Sequence, residues 1–362
     1  MAIKFGVPKL TFTFRTAAEE TAARLKNGVV ALIVQDATAT EGLYSVATEA
    51  DIPAKLSADN ADYVRRALIG SRGAKPSRVY VSVISAAEKL VSTGAAALAA
   101  VDFDYLAGPA NMATSAAKQL MDWLLVARQG YCIGKLVAAD HVGDNMACIN
   151  FSASNIVAGG KTYAGAAYCS RIAGILASTD LAASATYAPL PEVTAVAAVA
   201  DPDAAVDAGK LILLHDGKKA KLCRAVNSMT TLAEGVPASL RKIKMVEAVD
   251  LIRSYAMRLA EDRYIGQKPN SYDNKLALVA ELQAYLQELE TAGVLASGSG
   301  SAAIDFDAQR DWLKSAGVPV DTMTDPEILS AETGSHVFIT LSGTILDAME
   351  DFAVTLTMGG AV

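Results

Sequence analysis

The sequence predicts an α/β protein: an α/β body, an α+β C-terminal region and an extended strand arm at each end. Three observations carry this. Continuous apolar runs alternate with amphipathic helical stretches through the first half, the pattern of a mostly parallel sheet covered by helices. The second half holds a hairpin signal followed by two long helical stretches. Each end carries a short stretch with the period-2 alternation of a half-buried strand. With 362 residues, 52% of them hydrophobic, the chain can bury a large core shared among two or three domains.

Residues 1–26 read as an arm. In "KLTFTFR", Leu10, Phe12 and Phe14 face one way and Thr11 and Thr13 the other, and Pro8 suits a strand start or edge. The body is expected over 27–205. "GVVALIVQD" predicts a strand buried on both faces, and "SADNADYVRRALIG" a helix capped at Asp59 and stopped at Gly70. "RVYVSVI", "FDYLAGP", "YCIGKLVAA" and "MACINF" predict further strands. Helices are expected over 114–128, with Leu120, Trp123, Leu124 and Ala127 on one stripe, and over 163–176. "PLPEVTAVAAVADPDAA" reads as the exit from this domain. The α+β region is expected over 206–346. Asp216-Gly217 between two apolar runs marks a hairpin. Helices follow over 242–263 and 274–292, then a strand in "AIDF", a helix in "DAQRDWLKSAG" and a strand in "SHVFITLSGTIL". Residues 347–362 form the second arm, in which Phe352, Val354, Leu356 and Met358 alternate with Ala353, Thr355 and Thr357.

Composition and motifs exclude several classes. A net charge of −7 argues against nucleic acid as a partner, because phosphate neutralisation needs a basic surface. The weakly polar run 164–177 is broken by Arg171 and too short to span a bilayer, so no membrane partner is expected. The first residues lack an apolar leader core, which predicts no secretory signal. Cys132, Cys148, Cys169 and Cys223 form no CxxC pair and are expected as reduced thiols. "SNIVAGGKTY" has Asn155 where a phosphate loop needs glycine, so a tight turn between strand and helix is expected. His141, His215 and His336 lack metal-ligand spacing, and no GxSxG elbow occurs. Ser228 reads as a loop hydrogen-bonder. Glu19-Glu20, Glu261-Asp262 and Glu350-Asp351 read as solvated surface. The sequence thus predicts no catalytic, cofactor or metal site.

What remains is the pair of terminal strands. An isolated strand must join some sheet edge, either its own or a neighbour's. The first arm carries Lys4, Lys9 and Arg15, whereas Asp347, Glu350 and Asp351 lie at the root of the last. Opposite signs predict arm-to-tail pairing between copies, as a choice of partner more than a driving force.

Several long stretches carry a resemblance. "EADIPAKLSADNADYVRRALIG", "INFSASNIVAGGKTYAGAAYCSRIAGILASTDLAASATY", "RAVNSMTTL", "KIKMVEAVDLIRSYAMRLAEDRYIGQKPNSYDNKLALVAELQAYLQELE" and "LDAMEDFAVTLTM" resemble the compact tail sheath proteins of contractile phages and phage-tail-like bacteriocins. The resemblance implies a subtilisin-like body without catalysis and a C-terminal domain facing an inner tube. It implies hexameric rings stacked into a helical sleeve that contracts, with tube, baseplate and tail terminator proteins as partners. It also implies strand exchange between subunits through Leu10, Phe12 and Phe14 and through Phe352, Val354, Leu356 and Met358. Polar residues 16–26 and "LDAMED" would be the hinges of these arms. The helix bearing Arg310 and Lys314, four apart on one face, is a candidate tube contact. Large outer insertions of bigger sheaths are missing here. A non-contractile tube or shell subunit and an α/β hydrolase stay open as alternatives at this point.

Overall fold

The computed structural model describes residues 28–358. The expected first-arm strand of Leu10, Phe12 and Phe14, with Lys4, Lys9 and Arg15, lies outside the described residues.

A seven-stranded mixed sheet organises the body. β1 (Val29–Gln35) is central, with Val30 to Val34 wholly buried, as a continuous apolar run requires. The chain continues through β2 (Gly42–Val46), α1 (Ala58–Leu68), β3 (Arg78–Ile84), α2 (Ala96–Leu98), β4 (Tyr105–Ala107), α3 (Thr114–Ala127), β5 (Lys135–Ala139) and β6 (Cys148–Phe151). Next come β7 (Ile156–Ala158), β8 (Lys161–Tyr163), α4 (Gly165–Ala177), β9 (Pro189–Leu190), β10 (Val193–Ala195), α5 (Pro202–Asp207) and β11 (Lys210–Leu211). The sheet order is β11-β6-β5-β4-β1-β3-β2, and only β2 runs antiparallel. α1 and α4 cover one face and α3 the other, each with its own apolar cluster. Gly174 lets α4 cross α1 closely: a Cβ there would lie 2.2 Å from the carbonyl oxygen of Ala67.

Three local expectations change. Ser57, not Asp59, holds the N-cap position of α1, while Gly70 does end the helix with a φ of +68°. The glycine pair in "VAGGKTY" turns strand into strand. Gly159 and Gly160 both have positive φ, the geometry of a two-residue hairpin turn, and β7 pairs with β8. Tyr163 is therefore strand, and α4 starts at Gly165.

The hairpin at Asp216-Gly217 is present as β12 (Leu213–His215) and β13 (Ala220–Leu222). It belongs with the body, however. Leu211, Leu213, Ala220 and Leu222 pack into the body's larger apolar cluster, and β13 pairs with β9. A seam at 206 would cut through that core, so the C-terminal region begins after this hairpin. It comprises α6 (Ile243–Arg263), α7 (Tyr272–Thr291), β14 (Ser301–Ile304), α8 (Phe306–Ser315), α9 (Asp325–Ser330) and β15 (Ile339–Ser342). β14 and β15 form a two-stranded antiparallel sheet over α6 and α7.

α6 is pinned to the body by buried charge. Asp250 takes a bidentate pair from Arg128, at 2.7 and 3.1 Å, and lies 3.2 Å from Lys135 Nζ. The side chains of all three are under a tenth exposed. Tyr105 donates to Glu247 at 2.5 Å, and Arg253 donates to the carbonyls of Arg128 and Gly130.

Candidate assembly interface

The last described residues leave the fold. Phe352, Val354, Leu356 and Met358 are 75%, 86%, 79% and 81% exposed. Residues 352–358 hold no regular structure, although their alternation is that of a strand. Among the described residues the segment is paired into no sheet.

The root of this tail is held firmly. The Glu350 carboxylate accepts from Ser184 Oγ at 2.8 Å and Thr186 Oγ1 at 2.6 Å, and Lys242 Nζ stands 3.3 Å away. Its side chain is only 5% exposed. Asp347 pairs with Lys242, and Asp351 with Arg224. Burial alone would lower the Lys242 ammonium, but its bond to Asp347 and the charge of Glu350 outweigh that and raise it. Arg224 is raised chiefly by its bond to Asp351. Glu350-Asp351 is therefore not simply solvated surface. The acidic root is spent first on this chain's own cations, and "LDAMED" is a clamped segment instead of a free hinge.

Nothing in local spacing announces this latch. Its partners lie between 105 and 166 residues apart, and only a fold that brings the loop after α4 and the start of α6 together can form it.

The two-stranded sheet β14–β15 belongs to the same C-terminal region. Ile339 and Leu341 are half-buried against α6 and α7, while Thr340 and Ser342 face outward. Two strands alone are marginal in water, so the helices beneath supply most of their support.

On α8, Gln309 and Leu313 are buried, and Arg310 and Lys314 point outward. Both share Asp321, at 3.1 and 4.0 Å. Ser228 bonds Asn145 in a buried loop, as expected for a hydrogen-bonder. Among the described residues no group of three or more metal-ligating side chains forms, and no helix is long and apolar enough to cross a membrane. Cys148 and Cys169 are buried, Cys132 and Cys223 half-buried, and all four are free thiols. Burial pushes the thiol of each upward, away from reactivity.

Comparison with known proteins decides what this architecture belongs to. Residues 236–359 match the family model for the phage tail sheath C-terminal domain. The tail sheath protein of Clostridium phage phiCD119 is 33% identical over 360 residues, covering 98% of this chain and 99% of the relative. This chain belongs to the phage tail sheath family. The sheath fold extends to distant structures. A sheath tail protein from Listeria innocua superposes with a TM-score of 0.65 at 14% identity, over 82% of this chain and 91% of that one. The contracted helical sheath of the anti-feeding prophage superposes at 0.68 and 12% identity, over 98% and 99%. Sheath proteins are structural, and the mixed α/β fold predicted from sequence is the one this family shares.

Proposed function

We propose that this chain polymerises as stacked hexameric rings around a tail tube and contracts to drive that tube through a target cell envelope. The observation that carries the reading is the tail. A seven-residue stretch with strand alternation lies exposed and, among the described residues, unpaired, while a marginal two-stranded sheet stands on the same molecule. Such a segment is at odds with a solitary protein, since an exposed apolar strand is an association site. A neighbouring copy resolves both deficits by β-augmentation. Phe352, Val354, Leu356 and Met358 supply one exchanged strand, and Leu10, Phe12 and Phe14 another.

The clamped root fits this role. It fixes where each tail departs while leaving the strand beyond it free. Asp347, Glu350 and Asp351 set three negative charges against two positive ones on Arg224 and Lys242. The balance of −1 leaves a site for Lys4, Lys9 and Arg15 of a neighbour's arm. The outward face of α8, with Arg310 and Lys314, is the proposed tube contact. The ends of the sleeve would meet baseplate and tail terminator proteins, with assembly in the host bacterial cytoplasm. The same folded body packs differently in the extended and contracted sleeves, the tails serving as tethers throughout.

Phe352→Asp with Leu356→Asp tests this. The double variant is expected to show wild-type thermal unfolding and no sleeves by negative-stain microscopy. Sleeves of normal length from it would overturn the reading.

A further inference from the structure

We infer that the cleft between the foot of the body sheet and α6 is a docking site for Leu25 of the same chain, with Arg24 and Lys26 held by the carboxylates at its mouth. This goes beyond the polymerisation reading and does not depend on it, because it concerns how a single subunit fastens the root of its first arm.

The cleft has a volume of about 490 Å³. It lies where β1, β4 and β5 begin. Val29, Phe103, Trp123 and Ile133 wall it from the body, and Ser254 and Arg258 wall it from α6. The body side of this wall is mostly carbon. Protein interiors are close-packed, and an apolar recess gains contacts and loses water-exposed surface when a side chain fills it.

The chain enters the body beside this cleft, since Val29 is part of the wall. The entry is fixed by three bonds. Gly28 N–H donates to the Ala177 carbonyl at 2.7 Å, Ser77 N–H donates to the Gly28 carbonyl at 2.9 Å, and Val29 N–H donates to Asp104 Oδ2 at 2.7 Å. Gly28 is buried. The first arm is therefore rooted in the interior at the edge of the cleft, not on an outer surface.

Sequence singles out the occupant. Between Phe14 and Val29, Leu25 is the one large apolar side chain. It lies four positions before Val29, at most about 14 Å away along an extended chain. A tether this short gives Leu25 an effective concentration at the cleft that a second copy in solution does not match.

Charge agrees with the assignment. Asp102 stands at the mouth, and so does Tyr131, whose phenol is pushed upward by its bond to Glu261 and by the nearby charge of Asp262. Among the described lining residues Arg258 is the one cation, and it pairs with Asp102 at 2.8 Å. Three carboxylates against one guanidinium favour added positive charge, and Arg24 and Lys26 flank Leu25 on either side. With Leu25 seated, the hinge expected over 16–26 is shortened to 16–23, and the arm leaves from a root that touches both body and α6.

Cys132 lines the cleft and supplies a native reporter. Leu25→Cys, with Ala18→Cys as a control further along the arm, is introduced into the full unassembled chain under mild oxidation. The expected result is a disulfide to Cys132 within single chains of the Leu25→Cys variant, found by peptide mass spectrometry and many-fold rarer in the control. No linkage, equal linkage from both variants, or linkage only between chains would each overturn the assignment. Leu25→Asp gives a second readout. Iodoacetamide should alkylate Cys132 several-fold faster in this variant, because uncovering a thiol raises its reactivity, while Cys223 reacts as in the wild type. An unchanged rate at Cys132, or equal acceleration at both thiols, would also overturn it.

Discussion

At the scale of single residues, two positions show how tightly the body is specified. Gly174 is there because α4 and α1 approach until backbone meets backbone, leaving no room for a Cβ beside Ala67. Gly174→Val must drive the helices apart, and overpacking of this kind costs about 1–3 kcal/mol, read as a lower midpoint in urea unfolding. Asp36 does a different task. Its buried carboxylate accepts from Thr38 N–H and Oγ1, Ala39 N–H, Ser57 N–H and Asn60 Nδ2, tying the end of β1 to the start of α1. Burial works against the charge, but bonds from Asn60, Ser57 and Thr38 outweigh it and hold the carboxyl far below its ordinary value of 3.8. A folded-state value below the unfolded one gives stability that is present above the unfolded value and is lost as pH falls. Asp36→Asn is therefore expected to cost about 1–3 kcal/mol at pH 7. The gap from wild type should begin to close only below about pH 4, as denaturant melts at pH 7 and pH 3 would show.

At the scale of elements, α6 and the tail root behave as two different fastenings. α6 is bolted to the body through Asp250, and removing one partner of a buried pair strands the others. Asp250→Ala leaves Arg128 and Lys135 buried and uncompensated, a loss of about 3–5 kcal/mol, visible as a lower unfolding temperature or two separate transitions. The tail root is a clamp at the surface. Glu350→Ala removes an acceptor from two hydroxyls and one ammonium, for a smaller loss of about 1–3 kcal/mol. Its main effect is expected in hydrogen exchange, where the amides of residues 347–351 should exchange faster while those of α6 do not change. Uniform acceleration across both would mean that the clamp is part of the core.

At the scale of the whole molecule, body and C-terminal region are joined through the buried charges around Asp250, and the proposed association rests on the ends. A ladder bond nets about 1 kcal/mol, while ordering each tail residue costs about 1–2 kcal/mol. In the proposed sleeve one tail would hold weakly, and durability would come from many tails per ring, each raising the effective concentration of the next. Deleting residues 1–15 is expected to leave a folded chain that forms no sleeves, checked by circular dichroism and microscopy together.

Legible from the linear sequence were the α/β class, the order of the main helices and strands, the hairpin at Asp216-Gly217 and the period-2 alternation of 352–358, which the fold leaves without regular structure. Each follows from local periodicity or turn chemistry, which a linear reading can see. It misjudged the glycine pair at 159–160 because a turn into a strand and a turn into a helix need the same residues. It assigned 210–222 to the wrong side of the seam because apolar pattern says that a strand is buried, not against what. Only the tertiary structure decided the partners: Glu350 with Ser184 and Thr186, and Asp250 with Arg128. These pairings join residues far apart in the chain, and their energy depends on a geometry that exists only once the helices have packed.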